Sequence, residues 1–206
     1  MNASIPEKNG PEKTGPEQTG PEKTDPEQTG PEKTDPEKTD PEKTSPQYLR
    51  RLQSPIGTIE LTGDGAAVTS VTIAAAGHTP LEDSPERSDS ILNLAAMQLG
   101  EYFAGTRRNF DVPVRVTGTV FQREVWARLS AIEFGQVTSY GRLGLDTGRF
   151  SAGRAVGGAV GANPVPILVP CHRVLGATNR ITGFSGGDGI VTKQWLLAHE
   201  GILPKA

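Results

Sequence analysis

The stretch SYGRLGLDTGRFSAGRAVGGAVG, residues 139–161, predicts two helices joined by a short turn. The first helix covers residues 139–145, and the turn that follows covers residues 146–150. The second helix covers residues 151–161, and Ser151 is a good N-cap because its hydroxyl can accept from a free backbone N–H. Two helices joined in this way are typical of a helix-turn-helix.

The second of these helices, SAGRAVGGAVG, is rich in small residues. Each interior glycine destabilises a helix by about 1 kcal/mol relative to alanine, so the composition needs a reason. One interpretation is close packing against another helix. The other is insertion into a DNA groove, where Ala152, Ala155 and Gly157 add almost no bulk. Arg154 would then contact a phosphate or a base, or fill a gap in the base stack.

Further elements surround this pair of helices. Residues 120–132 form an amphipathic helix, and residues 191–199 form a closing helix. Between them, residues 174–175 and 181–184 are predicted to form a small β-wing around the turn GATNR. Helices followed by a hairpin, with two helices joined by a short turn, predict a mostly helical winged helix-turn-helix domain over residues 117–206.

The preceding segment, residues 47–116, predicts a small α/β domain. Residues 53–61 and 67–74 alternate apolar and polar side chains, which is typical of strands. Residues 88–104 predict a helix with one apolar face. Residues 110–116 predict an edge strand, because the proline within them does not suit a central one.

Residues 1–46 are a pentapeptide repeat with units such as PEKTG and PEKTD. The units contain no apolar residue, so they cannot bury enough surface to offset the entropy of ordering. Proline at every fifth position also removes backbone donors. We expect a disordered, extended tail, which is either a spacer or tether or a functionally neutral repeat expansion.

Charge is unevenly distributed along the chain. Residues 1–46 carry 6 Lys against 11 acidic residues, and residues 47–116 carry 6 Arg against 8 acidic residues. Residues 117–206 carry 9 basic residues against 5 acidic ones, a net charge of +4. This basic last part indicates either an anionic partner such as nucleic acid or an ordinary mixed surface.

The chain has a single cysteine, Cys171. It cannot form an internal disulfide, and a cysteine zinc site needs more thiols, so we expect no metal. A lone free thiol suits a reducing compartment, and the sequence shows neither a signal peptide nor an apolar stretch of about 18 residues. We therefore expect a soluble cytoplasmic protein, or a nuclear one in a eukaryote, with no membrane partner.

The thiol lies in the stiff stretch NPVPILVPCHRV, residues 163–174. Apolar surroundings disfavour the thiolate, so an activated Cys171 needs a group that accepts its proton. His172 is adjacent, but neighbouring side chains on extended backbone point in opposite directions, which favours a bridging water over direct contact. Glu200 is a candidate to orient the imidazole. The alternative is a buried structural cysteine beside a surface histidine.

NPVPILVPCHRV closely resembles the active-site stretch of the O6-alkylguanine-DNA alkyltransferases, also called methylated-DNA–protein-cysteine methyltransferases. Segments SPIGTIEL, LGEYFAGTRRNFDVPV, GTVFQREVWARLSAI, FGQVTSYGRL, GRAVGGAVGANP, TGFSGG and KQWLLAHEG are similar to family segments in the same order. The resemblance covers about residues 54–203. It implies a ribonuclease H-like first domain before the winged helix-turn-helix.

The resemblance also implies the chemical roles of five residues. Cys171 is the alkyl acceptor, His172 is a base that acts through water, and Glu200 holds and charges that histidine. Asn163 tightens the turn that carries the cysteine. Tyr140 donates a hydrogen bond to the leaving guanine as negative charge develops on its ring.

The substrate contacts follow from the same resemblance. The helix of small residues lies in the minor groove, and Arg154 fills the base stack after the damaged base is flipped out. The other groove contacts are Ser151, Ala152, Ala155 and Gly157. The guanine pocket is lined by Phe184, Ser185 and the backbone around Val174.

The implied activity is DNA repair by stoichiometric, irreversible transfer of an alkyl group from O6-alkylguanine, and also from O4-methylthymine, to Cys171. The implied partner is double-stranded DNA, the protein is expected to be a monomer, and no cofactor is expected because no nucleotide-binding fingerprint is present. Two alternatives are a non-catalytic winged-helix sensor of DNA damage and a cysteine hydrolase.

The sequence departs from the family pattern in four places. Gly161 and Ala162 stand where many relatives carry a basic residue before the asparagine. Phe184 replaces a common tyrosine, which keeps an apolar wall and removes a hydroxyl. The stretch GGDGIVTKQW is two residues longer than usual, and the cysteines of the zinc site in some relatives are absent.

Overall fold

The structure is a computed structural model that describes residues 47–146 and 153–203. These residues belong to one compact unit. Several predictions fall on residues outside the described ranges: the disordered tail over residues 1–46, the turn at residues 147–150, and the groove residues Ser151 and Ala152.

The described chain begins with an antiparallel sheet of three strands in the order β1-β2-β3. β1 covers Tyr48–Ser54, β2 covers Gly57–Gly63 and β3 covers Val68–Ile73. In the central strand, Ile59 and Leu61 are fully buried in the main hydrophobic cluster. Their alternation with residues of the other face fixes the register, because a slip by one residue would expose both.

The single strand predicted over residues 53–61 is wrong, because the chain turns back at Pro55 and forms the β1–β2 hairpin. Proline cannot donate to a ladder, and Gly57 has a φ of +98°, which glycine adopts readily. The Ser54 hydroxyl closes the turn by donating to the Gly57 carbonyl at 2.6 Å. The strand predicted over residues 67–74 is confirmed as β3.

A helix packs against this sheet. α1 covers Ser90–Phe103, which confirms the helix predicted over residues 88–104. Asp89 is the N-cap, and its carboxylate accepts from the backbone N–H of Leu92 at 2.7 Å. The helix buries one stripe of side chains in the core: Leu92, Ala95, Gln98, Leu99 and Tyr102.

The edge strand predicted over residues 110–116 is reduced to one parallel bridge between Val114 and Val68. The Val68 N–H donates to the Pro113 carbonyl at 2.9 Å, and the Arg115 N–H donates to the Val68 carbonyl at 2.9 Å. Pro113 has no N–H of its own, so a regular ladder cannot continue through it.

Helices dominate the second half of the described chain. The four helices match the predicted ones within a few residues: α2 Val120–Ser130, α3 Tyr140–Asp146, α4 Gly153–Gly161 and α5 Ile190–His199. α2 begins with a capping box, in which Thr119 and Gln122 each accept from the other's backbone N–H. The Ser139 hydroxyl accepts from the Arg142 N–H at 3.1 Å at the start of α3. α4 contacts both α2 and α3.

The predicted β-wing is wrong in its pairing. Val174–Leu175 forms β5, but it pairs in parallel with β4, Thr138–Ser139, which directly precedes α3. The second wing segment, residues 181–184, is irregular. Its Gly183 carbonyl accepts from the buried ammonium of Lys193 at 3.1 Å. A side chain therefore takes an acceptor that a hairpin ladder would need.

The two halves of the described chain share one hydrophobic cluster. It includes Ile59 of the sheet, Leu99 of α1 and Leu196 of α5. A backbone hydrogen bond of 2.8 Å from Val71 N–H to the Pro164 carbonyl also joins them. The sheet thus supports the loop that leads to Cys171.

Candidate active site

Cys171 lies at the start of a single 3-10 turn, Cys171–Arg173. The loop before it is held by Asn163, whose amide donates to the Val169 carbonyl at 2.8 Å and accepts from the Val165 N–H at 3.2 Å. The stretch before the cysteine, predicted as extended or looped, is therefore a loop that ends in a turn. The predicted role of Asn163 in tightening this loop agrees with its hydrogen bonds.

The thiol is buried, with Cys171 only 3% exposed. Burial raises the pKa of Cys171, because the thiolate loses solvation. A hydrogen bond with Asn163 and the charge of Lys193 act in the opposite direction and lower that pKa. The site thus combines a thiol that resists ionisation with two groups that favour the thiolate.

His172 is fully buried, and its Nε2 lies 2.8 Å from Oε1 of Glu200. Because Glu200 is ionised and can only accept, Nε2 carries the proton and Nδ1 is the basic nitrogen. Nδ1 has no hydrogen-bond partner among the described residues. Burial lowers the pKa of His172, and the hydrogen bond to Glu200 opposes that shift. The imidazole is therefore a neutral base with its acceptor nitrogen free.

Glu200 is the best-connected group of the site. Its carboxylate accepts from the Tyr102 hydroxyl at 2.9 Å, from Arg173 at 2.8 and 2.9 Å and from the Gly135 N–H at 3.2 Å, besides His172. Burial raises the pKa of Glu200, but the hydrogen bonds and charges of His172 and Arg173 outweigh it and lower the pKa to about 2. The carboxylate is therefore a permanent anion at neutral pH.

Sequence reasoning did not identify Tyr102 and Arg173 as members of this network. Arg173 directly follows the histidine, and a buried arginine requires an anion. Tyr102 lies on the buried face of α1, where its hydroxyl needs a partner. Both requirements could have been read from the sequence, but their shared partner lies in α5's C-cap.

The thiol lines a cavity of about 410 Å³. This volume falls within the range of about 300–1,000 Å³ that is usual for small-molecule sites. Of the predicted pocket residues, Phe184 and Ser185 lie in the wall, together with Tyr140 and Gly157. The full lining is Tyr140, Gly153, Gly157, Val160, Gly161, Cys171, Thr182, Gly183, Phe184 and Ser185.

The structure places Val174 differently from the prediction. Val174 is fully buried and does not belong to the cavity lining. Its carbonyl accepts from Lys193 Nζ at 2.6 Å, a contact that takes up the backbone group expected to face guanine. The Ser185 hydroxyl donates to the Gly161 carbonyl at 2.8 Å, which ties the cavity wall to the end of α4.

The glycines of α4 lie toward open space. Arg154 and Ala155 are exposed, while the packed side of α4 meets α2 through a 2.8 Å bond from the Trp126 indole to the Ala159 carbonyl. Close helix packing therefore does not account for the glycines. A Cβ built on any of them would meet no described atom within 4 Å: Gly153, Gly157, Gly158 and Gly161.

Two negative findings concern the described part of the chain. Within residues 47–146 and 153–203, no group of three or more His, Cys, Asp or Glu side chains is placed to hold a metal ion. No helix in those ranges is both long and apolar enough to cross a membrane.

Family models match most of the chain. The ribonuclease-like domain of 6-O-methylguanine DNA methyltransferase matches residues 48–116, and the DNA-binding domain of the same proteins matches residues 120–202. A methylated-DNA–protein-cysteine methyltransferase of Mycolicibacterium paratuberculosis is 40% identical over 151 residues, which are 73% of this chain and 90% of that relative.

Solved structures also match the fold of this chain. The crystal structure of Mycobacterium tuberculosis O6-methylguanine methyltransferase has a TM-score of 0.67 at 38% identity, and the match covers 77% of this chain and 96% of that one. The OGT of the same organism in complex with DNA has a TM-score of 0.66 at 39% identity, with 74% and 91% covered.

Fold and site together define a class: a small ribonuclease-like sheet unit that supports a helical DNA-binding unit with a buried thiol in a cavity. Within that class, the chain belongs to the O6-methylguanine DNA methyltransferase family. The predicted family and the predicted fold class are confirmed, apart from the pairing of the wing.

Proposed function

We propose that the protein repairs double-stranded DNA by transferring an alkyl group from O6 of guanine to the sulfur of Cys171. The observation that carries this proposal is the position of the thiol. Cys171 lines a cavity whose other walls include the small-residue helix α4, and it directly precedes the His172–Glu200 pair. Each chain reacts once, because hydrolysis does not return a thioether to a thiol.

The thiolate is the nucleophile, so the thiol must first lose its proton. His172 Nδ1 takes that proton through a water molecule, and Glu200 stabilises the imidazolium. The S–C bond then forms as the C–O6 bond breaks, and the electron pair passes into the guanine ring. The ring takes a proton at N1, so the thiol proton ends on guanine and His172 is neutral again.

The cavity wall supplies contacts to the leaving base. Tyr140 donates a hydrogen bond to guanine as negative charge develops on the ring, which stabilises the transition state more than the ground state. Phe184 provides an apolar surface for the ring, and the Ser185 hydroxyl lies beside it in the wall. One flipped base would thus meet the sulfur that accepts its alkyl group, the hydroxyl of Tyr140 as a hydrogen-bond donor and the flat ring of Phe184.

DNA binds on the open side of α4. A reactive atom on a base edge inside a duplex cannot reach a buried thiol, so the base is rotated out. Arg154 is exposed on this helix and fills the gap in the stack, while Ala155 and Gly157 allow the helix to enter the minor groove. Ser151 and Ala152 extend the same contact. The net charge of +4 over residues 117–206 favours this approach.

The decisive experiment uses a duplex with one O6-methylguanine and a matched undamaged duplex. Intact mass and peptide mapping should show one methyl group per chain on Cys171 with the damaged duplex and none with the other. The Cys171→Ser variant should bind the damaged duplex without accepting methyl. If Cys171 of the wild type stays unmodified while damage-dependent binding persists, the chain is a sensor. Repeated turnover would indicate a hydrolase.

Three finer points belong to the same proposal. We propose that O4-methylthymine is a second, competing substrate, that the chain acts as a monomer, and that it works in the cytoplasm, or in the nucleus of a eukaryote. The lone thiol supports a reducing compartment. Competition between the two damaged duplexes, light scattering with and without DNA, and fractionation of cells test them in turn.

A further inference from the structure

A buried cation lies behind the wall of the cavity. Lys193 on α5 is fully buried, and its ammonium donates to the carbonyls of Val174 at 2.6 Å and Gly183 at 3.1 Å. Val174 directly follows the turn that carries Cys171, and Gly183 lines the cavity. One side chain therefore ties together two segments of backbone that meet at the thiol.

Lys193 lacks the partner that a buried charge usually has. Among residues 47–146 and 153–203, no carboxylate lies within salt-bridge distance of its ammonium, and Glu200 on the same helix is paired with Arg173 and His172. A buried cation without a paired anion destabilises a fold, because the desolvation of its charge is not offset. Two backbone carbonyls accept from two of its three N–H donors but do not balance its charge.

The titratable groups that Lys193 faces both belong to the turn packed against α5. Its charge lowers the pKa of Cys171 and also that of His172. Burial in turn lowers the pKa of Lys193 to about 8, and the charge of Cys171 opposes that shift. Across the wall, the Gly183 segment presents a carbonyl to the ammonium. The anion that would balance this cation is thus the thiolate.

We propose that Lys193 is a positioning residue for alkyl transfer: its ammonium fixes the cavity wall and supplies the positive charge beside which the Cys171 thiolate forms. The inference rests on the proposed function. Lys193 keeps its proton throughout, whereas His172 takes and returns one. Removing the charge of Lys193 should therefore shift the pH at which the thiolate forms, without removing the base that accepts its proton.

The test compares single-turnover methyl transfer between pH 6 and pH 10 for the wild type, Lys193→Met and Lys193→Arg. The wild-type rate should rise with pH and level off once the thiolate has formed. The Arg variant should follow the same profile within about fivefold, because guanidinium also carries a positive charge. The Met variant should be at least about tenfold slower at pH 7.5 and recover as pH rises.

Gln194→Met is the matched control, since Gln194 is the exposed neighbour on α5, and its profile should equal that of the wild type. Iodoacetamide labelling of Cys171 over the same pH range gives a readout without DNA. A Met variant within twofold of the wild type at every pH, or an Arg variant as slow as the Met variant, would overturn the proposal. If neither variant folds, Lys193→Gln, which removes the charge but keeps an N–H donor for the two carbonyls, replaces the Met variant under the same criteria.

The two proposals fail in distinguishable ways. If the wild type accepts no methyl group from damaged DNA, the proposed function is wrong. The iodoacetamide profile then still measures whether Lys193 lowers the pKa of the thiol. If methyl transfer occurs but the profiles of Met variant and wild type coincide, the function stands and the role of Lys193 is structural.

Discussion

Two buried carboxylates, one in each half of the described chain, are held in nearly the same way. Glu60 on β2 accepts from Arg51 at 3.1 Å, from the Thr79 hydroxyl at 2.7 Å and from the Leu81 N–H at 3.2 Å. Glu200 likewise accepts from an arginine, a tyrosine hydroxyl and a backbone N–H. Both networks satisfy an anion that burial would otherwise destabilise.

The difference between the two networks is His172. The partners of Glu60 are permanent donors, whereas Glu200 also holds an imidazole whose second nitrogen is buried without a partner in the described part of the chain. That nitrogen belongs to the residue next to the thiol. A buried, well-connected carboxylate is thus not in itself a sign of catalysis. The sign of catalysis is the unpaired basic nitrogen of His172 at the end of the Glu200 network.

The largest expected effect separates the two carboxylates by rate. Glu200→Gln removes the charge that stabilises the imidazolium, so methyl transfer should slow by about 10²–10⁴-fold. Glu60→Gln should stay within about twofold of the wild type, because no proton moves through that network. Single-turnover transfer from an O6-methylguanine duplex, corrected for the folded fraction, measures both. An equal loss of methyl-transfer rate in the two variants would contradict the proposed difference between the two carboxylates.

The second prediction concerns acid stability. The pKa of Glu200 is lowered from 4.5 to about 2, so the folded state is stabilised above the unfolded pKa of 4.5 and loses this stability as pH falls toward 2. This lowering of the Glu200 pKa corresponds to about 3 kcal/mol of unfolding free energy. His172 adds to the loss below pH 6.5, because its pKa is lowered on folding.

Urea unfolding of the wild type and of Glu200→Gln between pH 2 and pH 7 measures this contribution. The difference in unfolding free energy between the two proteins should be largest near neutral pH and should shrink as pH falls from about 5 to 2. Glu60→Gln provides the reference for neutralising a buried carboxylate in the sheet half. A wild-type advantage over Glu200→Gln that is constant across the whole range would contradict the assignment.

The smallest expected effect tests the hydroxyl donors. Tyr102→Phe and Thr79→Val each remove one hydrogen bond to a buried carboxylate, and each should destabilise the fold by about 1.5–3 kcal/mol. Tyr102→Phe should also slow methyl transfer by about tenfold, because Glu200 orients the imidazole less well. Thr79→Val should leave the rate unchanged. A rate loss in the Thr79 variant, or none in the Tyr102 variant, would argue against the distinction.

Local sequence signals predicted the helices well. The periodicity of the apolar residues, from which the helices were predicted, depends on contacts within a few positions of the chain. The hairpin at Pro55 was missed because the alternation of polar and apolar residues continues across the turn. The pairing predicted for the wing was wrong because the Gly183 carbonyl accepts from a buried ammonium, a contact that no local sequence pattern indicates.

In the candidate site, too, neighbours in the sequence were predictable and distant contacts were not. Cys171 and His172 are adjacent, so the sequence alone raised the possibility of a reactive thiol. Glu200 was a candidate partner of the imidazole from the sequence, but only the family resemblance assigned its role, because no spacing rule joins residues 28 positions apart. Tyr102 lies 98 positions from Glu200 and was missed. Such contacts arise when α1, the turn and α5 pack into one core, which only the folded chain defines.

The proposed proton transfer depends most on the protonation state of His172. Nitrogen-15 NMR of the imidazole at pH 7, assigned by comparison with a His172→Gln variant, reports which nitrogen carries the proton. We expect a neutral ring with the proton on Nε2, toward Glu200, and an unprotonated Nδ1. A ring protonated on Nδ1, or on both nitrogens, could not accept the proton of the Cys171 thiol and would contradict the proposed proton transfer.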